Sequence, residues 1–446
     1  MFLVFIKKYK TEIIIFFSVF IVYSFFTILK IANNLTIEGL SADYYLQIAE
    51  NLSKSFLFSL DGISPTALRM PGYPLFLAVI FSIFKNWWAA LFIQHIIACA
   101  SAVILYLISK EWLNRFWAIA VSLIWAFEPY AIDISSQFFT EPIYILFILI
   151  ATFIFIKYRY RNQKYFIPLM ALMLAILTHI RPTSLFLPMI FAIAIIYSNN
   201  KIKKTLFQLS AMFLIYAALL FPWSLRNYLS FGSWQLSSDN ASSIYITASQ
   251  FEASQKGFEN SPAEVPKESG LPKFKESGQL NKTSETIIKS ANIILSDPLD
   301  FTAFYFKHLI IDSSSSSWWG SLGNLIKATS GQTNYHEKAK NAILNFEIKN
   351  IAQFSPKEIA AAMIMVSGTI FWISIFLFSI LGVYALFKKS DTNTKPPIIL
   401  ISGIIIYLIS TSNMAGGDMI RYRFQASPFI IMFAVSGIFF CLKNKK

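Results

Sequence analysis

The chain has 446 residues, of which 55% are hydrophobic and only 14% charged, with 44 Phe, 10 Trp and a mean hydropathy of +0.54. Ordinary soluble domains carry about 25% charged residues, so this composition excludes one and indicates a polytopic membrane protein. The formal charge of +14 does not point to nucleic acid, because nearly half of the 38 basic residues lie in short connections or termini flanking apolar stretches, where the positive-inside tendency collects them.

Apolar stretches able to cross about 30 Å of hydrocarbon as helix occur near 12–31, 87–108, 116–134, 141–156, 165–180 and 183–198. Others follow near 205–222, 361–387, 396–412 and 425–442. They predict an all-α polytopic membrane protein of about ten transmembrane helices. The first stretch follows Lys7, Lys8 and Lys10 as in a signal peptide, but it lacks a small-residue cleavage site and is expected to stay as an anchor. The run 74–84, PLFLAVIFSIF, is short and bounded by Pro74 and Lys85, so it is expected to be an interfacial helix. This topology puts both termini in the cytoplasm, together with Lys110, Arg115, Lys157, Arg159, Lys201, Lys388 and Lys389.

Three regions result. Residues 1–222 form an N-terminal transmembrane module whose first outer loop is 32–86, residues 223–358 form a large, mostly helical outer domain, and residues 359–446 return as C-terminal transmembrane helices. Within the outer domain, 252–284 is rich in Lys, Glu, Ser, Gly and Pro and is expected to be a mobile loop. IIKSANIILSD and PLDFTAFYFKHLIID are expected to be short amphipathic helices, and SSSSSWWG at 313–320 an interfacial turn.

Cys99 and Cys441 lie in or near different spans and suit neither a disulfide nor a thiolate metal site. The four histidines, His95, His179, His308 and His336, have no short zinc-type pairing.

The outer ends of the spans gather ionisable groups: Glu128, Asp133 and Glu141, then Arg181 and Arg226, then Asp418, Arg421 and Arg423. Such groups are costly at membrane depth unless paired or wet, and their default meaning is a functional cavity. The plain alternative is a ring of interface anchors. Guanidinium forks suit a phosphate, and a nearby carboxylate can take a proton from an attacking hydroxyl. Asp43 in ADYYLQIAENL is one such carboxylate, although the same position could serve as a helix N-cap.

ADYYLQIAENL, ALRMPGYPLFLAVIFSIF, FFTEPIYILFIL, LTHIRPTSLFLP, PWSLRNYLSFGSW and RYRFQASPFIIMFA, in this order, resemble the GT-C superfamily of membrane glycosyltransferases. The likeness is to the bacterial branch related to dolichyl-phosphate-mannose protein mannosyltransferases and lipid A aminoarabinose transferases. It implies an inverting transfer of sugar from a polyprenyl phosphate, expected to be undecaprenyl phosphate, to a hydroxyl of a glycolipid, polysaccharide or protein. The reaction would occur on the outer face of a bacterial cytoplasmic membrane. By resemblance, Asp43 is the catalytic carboxylate that accepts the acceptor's proton, with Glu38 as the fallback base. Arg69 is placed to bind the donor phosphate, with Arg181, Arg226, Arg421 and Arg423 as further candidates. Tyr44, Tyr45 and Tyr73 would line the substrate, and Glu141, with Asp133 behind it, would form a second acidic site for the acceptor or a divalent metal, whose requirement is left open. A lipid-linked glycan transporter or a noncatalytic scaffold are the competing functions; a transporter should show polar residues along the middle of several helices, and here mid-span positions are apolar.

Overall fold

The computed structural model describes residues 8–33, 37, 40, 43–159, 165–199, 201–255, 280–314, 317–318, 320–322, 355–392, 394–412 and 419–443. Glu38, Asp418, His336 and most of the 252–284 segment lie outside them, as do Ser315, Ser316 and Trp319 of the serine-rich turn. The described residues are helical almost throughout, with one isolated bridge between Ser59 and Pro65.

The N-terminal half contains α1 (Lys10–Ala32), α2 (Tyr45–Ser55), α3 (Gly72–Phe84), α4 (Trp87–Ser109), α5 (Arg115–Ala126), α6 (Pro129–Ser135), α7 (Glu141–Tyr158), α8 (Phe166–Ile180) and α9 (Leu187–Ser198). Then come α10 (Ile202–Phe231), α11 (Asp239–Gln255), α12 (Leu280–Ser296), α13 (Pro298–Ser314), α14 (Pro356–Lys389), α15 (Lys395–Ser412) and α16 (Met419–Lys443).

Among the described residues, six helices are long and apolar enough to cross a membrane: α1, α4, α7, α10, the Ile359–Lys389 part of α14 and the Arg423–Lys443 part of α16. The count becomes seven if α5 and α6, bent by 57° at their junction, are one broken span. The described residues therefore hold six or seven candidate spans, not the expected ten. Helix breaks account for the difference. The 116–134 stretch is cut before Pro129, and Pro182 opens a short 3-10 turn that separates α8 from α9. At about 1.5 Å per residue, the 15 residues of α8 reach only about 22 Å, short of a 30 Å core. The apolar part of α15, Lys395–Thr411, is likewise below the length required, and α3, with 13 residues, is shorter still.

The inner faces follow helical spacing. Helix α1 buries Thr11, Ile15, Val19, Tyr23, Thr27 and Lys30, one residue per turn, while Ile14, Phe17, Ile21, Phe25 and Ile28 are exposed on its other side. That outer stripe suits lipid. Polar groups on the inner stripe stitch α1 to its neighbours: Tyr23 donates to the Ala126 carbonyl at 2.8 Å, Thr27 meets His95 Nε2 at 3.1 Å, and Lys30 Nζ reaches Asp133 at 3.0 Å.

At the other end of the chain, α14 and α16 cross backbone to backbone. A Cβ on Gly382 would stand 1.8 Å from the Phe433 carbonyl oxygen, and one on Gly437 would stand 2.3 Å from that of Phe378. Only glycine permits this approach, the small-residue contact expected between helices in lipid.

Candidate active site

Charge is divided between the two ends of the helices. Glu141 opens α7 and Arg421 lies in the first turn of α16, whereas Lys157 and Lys443 occupy their last turns. Lys110 follows α4, Lys388 and Lys389 close α14, and Lys395 opens α15. The acids and arginines of interest converge at the end away from these lysines.

Their centre is a chain of alternating charges. Glu141 Oε1 accepts from Arg181 Nη1 at 2.6 Å and from Arg421 Nε at 2.5 Å. Arg421 Nη1 then donates to Asp43 Oδ2 at 2.6 Å. The other Asp43 oxygen faces Arg69 Nη2 at 3.4 Å, and Arg69 Nη1 donates to Asp239 Oδ1 at 2.6 Å. Thr140 accepts from Arg181 at 2.9 Å. With its amide oxygen turned toward Arg181, Gln425 accepts from Nη1 at 3.2 Å and Nε at 3.3 Å.

Local structure explains why these groups meet. Helices α7 and α8 pack side by side in opposite directions, so the first residue of α7 lies beside the residue after α8. Arg181 is extended, with φ −141° and ψ 123°, as the residue before a proline prefers. Gly72, next to the Arg69 segment, sits directly on the end of α8; a Cβ there would be 2.7 Å from the His179 carbonyl oxygen. The RMPGY sequence thus brings Arg69 and Arg181 to one corner.

Asp43 does not cap α2. The N-cap is Tyr44, no side chain caps that helix, and Tyr44 has φ 63°, a left-handed conformation disfavoured for a bulky side chain. The turn at Tyr44 leads from Asp43, held among the arginines, directly into α2. Burial pushes the Asp43 carboxyl pKa up, but the adjacent Arg421 and Arg69 outweigh it, and the pKa falls below the ordinary 3.8. Asp43 is therefore ionised at neutral pH.

The tyrosines differ in placement. Tyr44 is half exposed beside Asp43, whereas Tyr45 is buried with its ring 5.4 Å from the Arg69 guanidinium. Burial pushes the Tyr45 hydroxyl pKa up to about 12, so it stays a neutral donor. Tyr73 is fully buried and donates to Gln94 Oε1 at 2.5 Å. It supports α3 against α4.

Three other candidates stand apart from the alternating chain. Asp133 accepts from Lys30 and from Gln137 Nε2 at 2.8 Å, and Ser136 accepts from Lys30 at 2.6 Å. Arg423 lies 4.0 Å from the ring centre of Trp372, on the side of Glu128, which accepts from Trp318 Nε1 at 2.7 Å. Arg226 donates to the Thr66 carbonyl at 2.8 Å and lies 4.9 Å from the Trp223 ring. It lines a cleft of about 490 Å³ with Phe56, Pro71, Leu75 and Trp223.

Asp239, Gln425 and Thr140 were not singled out by the sequence patterns, and only the structure brings them here. Among the described residues, no group of three or more His, Cys, Asp or Glu side chains is placed to hold a metal ion. Asp43 and Glu141 are joined through the fixed cation of Arg421.

Residues 67–224 match the family model of dolichyl-phosphate-mannose-protein mannosyltransferases. The match covers roughly a third of the chain and includes Arg69, Glu141 and Arg181, while Asp43, Arg226 and Arg421 lie outside it. Comparison with curated proteins gives no match. This partial homology supports GT-C-type membrane glycosyltransferase activity in general terms.

Proposed function

We propose that the protein is an inverting glycosyltransferase that moves a sugar from a polyprenyl phosphate to an acceptor hydroxyl. The observation that carries this reading is Asp43 held between Arg69 and Arg421, a carboxylate flanked by guanidiniums at the lysine-poor ends of membrane helices. The lysines at the opposite ends argue for an outer-face site with cytoplasmic termini in a bacterial cytoplasmic membrane. The family match and the apolar surfaces of the helices fit a lipid-borne donor.

In this mechanism the acceptor oxygen attacks the anomeric carbon opposite the phosphate, its proton passes to Asp43, and the bond from the anomeric carbon to the phosphate oxygen breaks. The leaving phosphate gains one negative charge. Arg69, and Arg421 as it is shared with Asp43, meet that charge as it develops, so their attraction is larger in the transition state than in the ground state. Proton acceptance by a placed carboxylate is worth about 10² to 10⁴ in rate. Glu141 and Arg181 hold Arg421 from behind.

The test is release of polyprenyl phosphate by purified protein from a panel of polyprenyl-phosphate sugars, with acceptor extract and with or without divalent cation. Wild type should release it and correctly inserted Asp43→Asn should not. Equal release by both would remove Asp43 as the base; no release across the panel would remove the reaction.

A further inference from the structure

The six groups of the alternating chain are three acids, Asp43, Glu141 and Asp239, and three arginines, Arg69, Arg181 and Arg421. Formally they sum to zero. A neutral cluster is a poor receptor for an anion, because each guanidinium already has a carboxylate. Glu141 is fully buried behind Arg181 and Arg421, and Asp43 lies between two arginines. Asp239 differs in three respects. It is the acid at the end of the series, its side chain is 29% exposed, and it belongs to α11 in the large 223–358 region.

We infer that Asp239 is an internal competitor for the donor phosphate: it holds Arg69 through an ion pair that the phosphate must replace, and its return to Arg69 helps expel the product phosphate. This inference rests on the proposed transfer reaction and assigns Asp239 as a positioning residue.

Charge matching supports the exchange. With Asp239 displaced, three arginines face two acids, and the net charge of one positive unit matches the single negative charge of a phosphodiester donor. After transfer, Asp43 carries the acceptor proton and the cluster is two units positive, which matches a phosphomonoester approaching two negative charges. The cluster therefore tracks the phosphate through the reaction only if Asp239 leaves first. Its attachment permits that movement. Ser238 N–H donates to the Ala67 carbonyl at 3.0 Å, and Asn227 donates to the Gln235 and Leu236 carbonyls at 2.8 and 3.0 Å. These bonds keep the approach to α11 next to Arg69 when the Asp239 carboxylate swings away. The return distance stays short.

The experiment measures binding of a short-chain polyprenyl monophosphate to the purified full chain in nanodiscs. Wild type, Asp239→Asn, Arg69→Gln and the double variant are compared, each first shown to retain its melting temperature. Loss of one charge-assisted competitor should make Asp239→Asn bind about tenfold more tightly than wild type. The gain should vanish in the Arg69→Gln background, and Asp239→Glu should restore wild-type affinity. In turnover, Asp239→Asn should lower KM for the donor without raising kcat. Binding by wild type with equal or weaker binding by Asp239→Asn overturns the inference and leaves the transfer reaction standing. Absence of binding by all four proteins overturns both.

Discussion

Gly72→Ala tests whether the contact between α3 and the end of α8 sets the geometry of the candidate site. The added methyl would stand 2.7 Å from the His179 carbonyl oxygen and 2.9 Å from its carbon, against an ordinary contact of at least 3.4 Å. Both neighbours are backbone, so no side chain can rotate away. The two segments must separate by about 0.7 Å, the shortfall in the closer contact. Overpacking of this kind costs about 1 to 3 kcal/mol. Arg69 lies three residues before Gly72 and Arg181 two residues after His179, so the same displacement opens the corner they share. A misplacement of about 1 Å can cost about 10²-fold in rate, which puts the expected loss at roughly tenfold or more. The assay pairs melting temperature in detergent with phosphate release from a polyprenyl-phosphate sugar. Gly320→Ala, whose methyl would meet none of the described residues within 4 Å, is the control. If Gly72→Ala matches wild type in both stability and release, the close contact does not govern the site.

Lys30→Met leaves Asp133 buried without its ammonium partner and should cost about 3 to 5 kcal/mol, much of it recovered in Lys30→Met with Asp133→Leu; if the double variant melts no higher than the single in chemical denaturation, the pair is not the source of the loss. The pH profile of kcat/KM reports free-enzyme ionisations. Asp43, with its pKa depressed, contributes stability at and above its ordinary 3.8 that disappears only as pH falls through its lower folded value, so between pH 7 and 5 no acid-side loss should be traceable to it. An acid limb in that window, present in wild type and shifted by Arg421→Lys, would show that the arginines do not hold Asp43 ionised.

Hydropathy revealed the membrane class because α1, α4 and α7 are continuous apolar helices with polar ends. It overcounted spans because a hydropathy window does not register where a helix stops. The stretches around Pro129 and Pro182 are nearly as apolar as a true span but bend or break there. Within the site, the charged residue types near helix ends were visible in sequence, but their partners were not. Glu141 and Arg181 are joined by the antiparallel packing of α7 and α8, and Arg69 and Asp239 are 170 residues apart with no local pattern linking them. Arg421 and Arg423 show what periodicity can supply. Two residues along a helix turn the side chain by about 200°, enough to send Arg421 to Asp43 and Arg423 to Trp372. The left-handed turn at Tyr44 had no such cue, since tyrosine is not a residue that requests it.

The glycine crossing between α14 and α16 bears on Arg421 from a distance. Gly437 lies about 24 Å along the helix from Arg421 at 1.5 Å per residue, and the close backbone contact there holds α16 against α14. Helix α16 therefore acts as a lever clamped at its far end. Removing one residue between Gln425 and the clamp would swing Arg421 through about 100° and draw it back by about 1.5 Å, uncoupling Asp43 from Glu141 without substituting any side chain at the site. Length, as much as composition, is under constraint in that segment.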